Sequence, residues 1–306
     1  MSEEPAEAPQ SRLRNPLLVL LGLVLFAGAA VLFVRLLEPL ARADTATPRP
    51  PMAAAVSPPP VPAPVAPPVA GTAAAIAPVR APFRPDFTGP RIAIVLTDVG
   101  VNPADARTAI TKLPAEIGLA FSPYPDESRA LADTARKAGH EVWVGVPMQP
   151  KSWPRVSPGA NTLTVDATPA ENTQRLGWVL ARVGPATGVT SIMGSQFLER
   201  AAALDPVLTD LKSRNLAFLD SRVSGRSVGM ARARAAGVPA ILNDRFLDEG
   251  GGIAANLAEL ATAARLNGSA VGFARPSAAS VAAISAWAAT LEGKGVLLVP
   301  PGSLAK

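Results

Sequence analysis

The groups able to do chemistry in this 306-residue chain are few, and they stand where apolar runs end. In RIAIVLTDVG, Arg91 to Gly100, an apolar run closes on Thr97 and Asp98 before the turn at Gly100. A carboxylate at the end of a buried strand suits metal binding or proton transfer. Both chemistries usually draw on histidine, and the chain has one, His140. Cysteine is absent, which removes disulfides, thiolate zinc sites and a cysteine nucleophile. Gln149, Ser191 and Asp220 lie at or near the ends of other runs. With Asp98 they form an oxygen-donor set suited to magnesium or calcium rather than zinc. The plainer role for Asp98 is to cap the turn before a helix beginning after Pro103, and Asp220 is equally suited to a salt bridge or a turn cap.

His140 does not repair the shortage. It opens a strand that Gly145 closes five residues on, roughly 16 Å along an extended chain, whereas barrel chemistry gathers at the closing ends of strands. A structural role is expected for it, and a Ser-His-Asp arrangement falls with it. Arg222, Arg226, Arg232 and Arg234 form a basic run that reads as a solvated face. DEGGGIAAN, Asp248 to Asn256, lacks the Lys and Ser/Thr of a phosphate loop and reads as a flexible loop. Trp153, in PKSWPR just beyond a strand end, is the candidate for stacking a sugar ring, while Trp143 and Trp178 are expected in the core.

The elements that must position these residues begin late in the chain. Residues 1–14 are expected to be a short cytoplasmic N-terminus. Residues 15–37 contain NPLLVLLGLVLFAGAAVLFV, twenty residues without a charge, long enough as a helix to cross a bilayer. A single-pass anchor is expected there in preference to a cleaved signal, placing the protein in an inner membrane with its C-terminal domain in the periplasm. Residues 38–90 form a Pro/Ala-rich disordered linker, with 14 prolines between Thr45 and Pro90. The net charge of +5 divides into +1 over residues 1–90 and +4 over 91–306, with both signs interspersed, which argues against nucleic acid as a partner.

From Arg91 onward, β-branched runs alternate with helix-length Ala-rich segments. Strands are expected at Arg91–Leu96, Ile117–Phe121, Glu141–Val146, Gly188–Ile192, Ala217–Leu219, Pro239–Leu242, Ala270–Phe273 and Gly295–Val299. Helices are expected at Pro103–Lys112, Asp126–Ala138, Pro169–Val183, Ala203–Asn215, Val228–Ala236, Ile253–Leu266 and Ser277–Leu291. Repeated βα units of this length suit an α/β fold, either an irregular (β/α) barrel or a doubly wound open sheet.

Five ordered blocks carry a family resemblance: IAIVLTDVG at Ile92–Gly100, AGHEVWVGVPMQP at Ala138–Pro150, GVTSIMGSQF at Gly188–Phe197, FLDSRVSGRSV at Phe218–Val228 and GSAVGFARP at Gly268–Pro276. Together they resemble the divergent polysaccharide deacetylase family, related to metal-dependent carbohydrate esterases of the NodB type. The resemblance implies an irregular (β/α) barrel over residues 91–306. It also implies hydrolysis of acetyl groups on a polysaccharide, with a divalent metal polarising the carbonyl and activating water.

Measured against that pattern, Thr97 stands where the base aspartate would be, and Asp98 keeps the metal-ligand place. Gly145, Ile192 and Phe273 stand where histidines would be, and Gln149 where a glutamate would be. A neutral threonine hydroxyl cannot take a proton from water near neutral pH. The expectation is therefore a membrane-anchored envelope protein that binds a polysaccharide or peptidoglycan-like glycan, with deacetylase activity lost or weakened and no confident cofactor. An active hydrolase with an oxygen-rich metal site on Asp98 and Asp220, and a non-enzymatic envelope scaffold, are the alternatives.

Overall fold

The computed structural model describes residues 87–306. Among these are nine strands: β1 (Arg91–Val99), β2 (Gly118–Phe121), β3 (Val142–Met148), β4 (Gly188–Met193), β5 (Ala217–Asp220), β6 (Ala240–Leu242), β7 (Arg245–Phe246), β8 (Ser269–Ala274) and β9 (Leu297–Leu298). Seven helices accompany them: α1 (Pro103–Lys112), α2 (Ser128–Lys137), α3 (Pro169–Val183), α4 (Ala201–Ser213), α5 (Gly229–Ala236), α6 (Ile253–Asn267) and α7 (Ala278–Ala288). Helices α1 and α3 begin where their sequences dictate. Proline occupies the first turn of each, where no N–H is needed; Asn102 caps α1, and Thr168 with Glu171 forms a capping box on α3.

All the ladders are parallel, in the order β6-β5-β4-β3-β2-β1-β8-β7, with β9 joined to β1. The order does not reverse in mid-sheet as a doubly wound sheet would. The two end strands, β6 and β7, are consecutive in the chain and separated by Asn243 and Asp244 alone. Asn243 N–H donates to the Asp220 carbonyl and Asp244 N–H to the Val271 carbonyl, both at 2.9 Å. The chain itself thus crosses the seam between β5 and β8, and the result is an open, barrel-like parallel α/β sheet of the irregular kind.

Strand alternation sorts the apolar residues into two cores. Ile92, Ile94, Leu96, Leu119, Phe121, Val144, Val189 and Phe218 pack outward against the helices. Ala93, Val95, Ala120, Trp143, Ala217, Leu219, Ile241, Val271 and Phe273 fill the interior. Trp143 is fully buried there, and its indole N–H donates to Glu141 at 3.2 Å. Glu141 also accepts the Gly302 N–H at 2.8 Å, while Lys306 and Ala240 exchange backbone bonds at 3.1 and 3.3 Å. The C-terminal segment is thereby tied across the base of the barrel.

The structure corrects several expectations. Strand β7 was not anticipated, the last strand shrinks from five residues to two, and most other boundaries move by a few residues. The inner-membrane, periplasm-facing location is also corrected: among the described residues no helix is long and apolar enough to cross a membrane. The apolar run at 15–37 and the linker up to residue 86 lie outside the described residues.

Close packing at the base gives a direct test. A methyl group added at Gly188 would lie 2.3 Å from the Ala217 carbonyl oxygen and 2.6 Å from the Trp143 ring. Overpacking of this kind costs about 1–3 kcal/mol, so Gly188→Ala is expected to lower Tm by roughly 3–10 °C in a thermal melt. An unchanged Tm would contradict the packing described.

Candidate functional site

The mouth of the barrel is set by one extra residue in β1. Leu96 pairs with Leu119 and Val99 with Phe121, so three steps along β1 match two along β2. This is a β-bulge, a feature concentrated at barrel rims and beside functional sites. Leu96 and Val99 both face the helices. Thr97 and Asp98, between them, are left at the half-buried end of the strand, and Asp98 takes a left-handed φ of 56°. Asp tolerates that region better than most residues with a Cβ.

Burial raises the Asp98 carboxyl above its ordinary pKa; Arg275 opposes the shift and Asp248 adds to it. Arg275 is itself fixed, its Nε donating to Asp248 at 2.8 Å and its backbone N–H to the same oxygen at 3.1 Å. Among the described residues no donor hydrogen-bonds the Asp98 carboxylate. Thr97 Oγ1 reaches only the Ala274 carbonyl, at 3.5 Å.

None of the other residues singled out from the sequence hydrogen-bonds Asp98. Gln149 is buried and organises the loop after β3: its side-chain oxygen accepts the Val165 N–H at 2.7 Å, and its Nε2 donates to Gln196 at 3.3 Å. Ser191 shares a short hydrogen bond with Ser221. Asp220 is 1% exposed and has the parity of Phe218, on the helix side of β5. One carboxylate oxygen accepts the Arg222 N–H at 2.9 Å and the other the Ser227 hydroxyl at 2.7 Å. A methyl group at Gly229 of α5 would lie 2.4 Å from that second oxygen, so Asp220 packs against the helix layer. His140 is also committed, its ring nitrogens lying 2.9 and 3.1 Å from the Ile117 and Ile110 carbonyls. Trp153 is half-buried in the turn after Pro150.

These positions do not make a site for the divalent metal that the family resemblance implies. Both Asp220 oxygens are occupied, and Asp98 lies in the field of the Arg275–Asp248 ion pair. A Cβ on Gly145 would meet Ile192 at 2.8 Å, so an isoleucine fills the space at that strand end. Phe273 is 1% exposed and packs edge-on against Phe246. Among the described residues no group of three or more His, Cys, Asp or Glu could hold a metal ion.

Several features escaped the sequence reading. The salt link of Arg275 and Asp248 lies partly in a segment read as a flexible loop, although an acid before three glycines and a base after a strand were visible in both places. Glu199 gathers Lys151, Ser224 and Arg226 around it, and these contacts hold its carboxyl down at about 2. Within the arginine run, Arg226 therefore pairs with Glu199, Arg232 pairs with Asp205, and Arg222 opens onto a cavity beside the seam. Trp178, expected in the core, is 39% exposed, lies 5.9 Å from the ring of Tyr124 and carries the Arg182 guanidinium over its face.

Comparison with known proteins agrees with this architecture. The family profile described as divergent polysaccharide deacetylase matches residues 94–305. A solved structure of an uncharacterized protein from Agrobacterium tumefaciens C58 is similar, with a TM-score of 0.71 and 32% identity, covering 74% of this chain and 93% of that one. An uncharacterized protein of Haemophilus influenzae is 33% identical over 53% of this chain and 57% of its own length. The protein YibQ of Escherichia coli K12 is 30% identical over 52% of this chain and 49% of its own length. The chain thus spans about half the length of the curated relatives it matches.

Two of the perturbed carboxylates, Asp98 and Glu199, respond oppositely to pH. Asp98 has its pKa raised on folding, so its ionisation disfavours the folded state above the unfolded value near 3.8. Asp98→Asn is expected to raise stability at pH 7, with the gain fading at pH 3. Glu199 has its pKa lowered from 4.5 to about 2, so its stabilisation is present above 4.5 and is lost as pH falls through 2. Glu199→Gln is expected to lower stability at pH 7 and to have little effect at pH 2. Chemical denaturation at the three pH values checks both signs, and a destabilised Asp98→Asn protein at pH 7 would refute the account of the bulge.

Proposed function

This chain belongs to the divergent polysaccharide deacetylase family, and from that premise we propose that it binds an N-acetylated glycan at the barrel mouth without metal-dependent deacetylation. The reading is carried by Asp98: a desolvated carboxylate turned out of the regular strand, beside a fixed guanidinium, with no donor of its own among the described residues. A half-buried carboxylate with no donor of its own is free to accept from a ligand, and a sugar hydroxyl or acetamido N–H is a donor of the right kind. Arg275 beside it supplies N–H donors for neighbouring sugar oxygens. Trp153 in the loop after β3 offers a ring surface for the apolar face of a pyranose.

Hydrolysis lacks support from the same residues. Without a polarising metal, attack on an acetyl carbonyl needs another stabiliser for the developing oxyanion and a base for water. Thr97 cannot be that base, Ile192 and Phe273 supply neither ligand nor donor, and on this reading Asp98 and Arg275 hydrogen-bond the sugar instead.

The test is calorimetric titration of the full-length protein with N-acetylglucosamine oligomers, with and without a chelator, alongside an assay for released acetate. Binding that survives chelation, weakens about tenfold in Asp98→Asn and yields no acetate is expected. Acetate release that requires added zinc or magnesium and disappears in Asp98→Asn would replace this reading with an active deacetylase.

A further inference from the structure

We infer that the cavity beside the barrel seam, with Arg222 at its wall, is a second sugar subsite that takes a neutral pyranose unit of the same glycan. The inference rests on the glycan-binding reading above and adds a place and a chemistry for a further unit. The cavity has a volume of about 400 Å³ and is lined by Arg222, Asn243, Asp244, Arg245, Phe246 and Glu249, among others. It lies where β6 gives way to β7, the one place in the sheet where the chain rather than a ladder joins neighbouring strands.

Its charges are arranged for a neutral polar guest. Arg245 is turned to α6, pairing with Glu259 and donating to Asn256 at 2.9 Å. Glu249 lies in the field of Arg275. What remains is one guanidinium and one carboxylate, Arg222 and Asp244. They feel each other electrostatically without forming an ion pair within 4 Å. Asp244 accepts the Val271 N–H through Oδ2 at 2.8 Å, which leaves Oδ1 available. A donor and an acceptor held apart in this way match the vicinal hydroxyls of a sugar, whereas a net-charged ligand would meet one attractive and one repulsive group. Phe246, half-buried and T-shaped against Phe273 with centroids 6.1 Å apart, adds the apolar surface that a pyranose face covers.

Arg222 is held for this role. Its φ of 55° is a conformation that a residue with a Cβ adopts only under constraint. The constraint is visible: the buried Asp220 carboxylate accepts its N–H at 2.9 Å, and Asn243 Nδ2 donates to the neighbouring Ser221 carbonyl at 3.1 Å. Its side chain makes no hydrogen bond or ion pair among the described residues. Asp220, which its place at the end of an apolar run had offered as a possible oxygen ligand for metal, is on this account a positioning residue for Arg222.

Calorimetric titration of the full-length protein with N-acetylglucosamine oligomers of two to six units tests the assignment. For the wild type, affinity is expected to rise with length as the second subsite fills. Arg222→Ala, a change to an exposed side chain that should leave Tm unaltered, is expected to cost the longer oligomers about tenfold in affinity and the shortest nothing. Asp220→Asn, which keeps an acceptor for the Arg222 N–H, should retain the length dependence that Asp220→Ala loses; if Asp220→Ala does not fold, the Arg222 series decides alone. Equal binding by Arg222→Ala and wild type at every length would overturn the second subsite while leaving the mouth intact, as would an equal loss at every length. Failure of the wild type to bind any oligomer would overturn both readings.

Discussion

In a parallel barrel every second side chain points into the interior, and one added residue in a strand changes that assignment for everything beyond it. This constraint governs the arrangement of chemistry here. The bulge at Thr97 and Asp98 brings a carboxylate to the half-buried mouth that regular alternation would have pointed at the helices. Strand β5 has no such bulge before Asp220, and its carboxylate stays on the helix side, against Gly229 and Ser227. Two aspartates that look equivalent at the ends of apolar runs are therefore placed differently: one stands at the half-buried mouth, and the other holds the backbone after β5.

The same strand ends carry the structure's less comfortable conformations. Asp98, Met193 and Arg222 each take a left-handed φ near 56° at the ends of β1, β4 and β5, a geometry worth about 1–3 kcal/mol of strain per residue. Asp98 adds the cost of a desolvated charge. Against these stand the two hydrophobic cores, the capped helices and a base closed by Glu141, Trp143 and the C-terminal segment. These left-handed residues stand at the closing ends of their strands, the end at which parallel barrels carry their sites.

Much of the fold was legible because it is written locally. Pro103 and Pro169 with their caps fixed the starts of α1 and α3, and the β-branched runs located seven of the eight expected strands to within a few residues. The eighth, β9, holds two of the five residues expected, and β7 was invisible, since Arg245–Phe246 has no pattern of its own and pairs only because the seam brings it to β8. The five ordered blocks revealed the family, and the substitutions at Thr97, Gly145, Ile192 and Phe273 could be read directly. Directions could not be read. AFLD is too short to show which face Asp220 takes, and nothing in RIAIVLTDVG announces the bulge, which is defined by register with β2. Trp178 misled by residue type: a large aromatic on a helix reads as core, but Tyr124 and Arg182 hold it at the surface.

The central claim is that Asp98 faces the mouth as an acceptor for a glycan and holds no metal. It is tested most directly by a crystal structure of the protein grown with excess zinc and soaked with an N-acetylglucosamine oligomer, using anomalous scattering to locate metal. The account predicts a sugar hydroxyl or acetamido N–H within hydrogen-bond distance of the Asp98 carboxylate and no anomalous peak between them. A zinc ion bound to Asp98, with the sugar's acetyl oxygen on the metal, would contradict it.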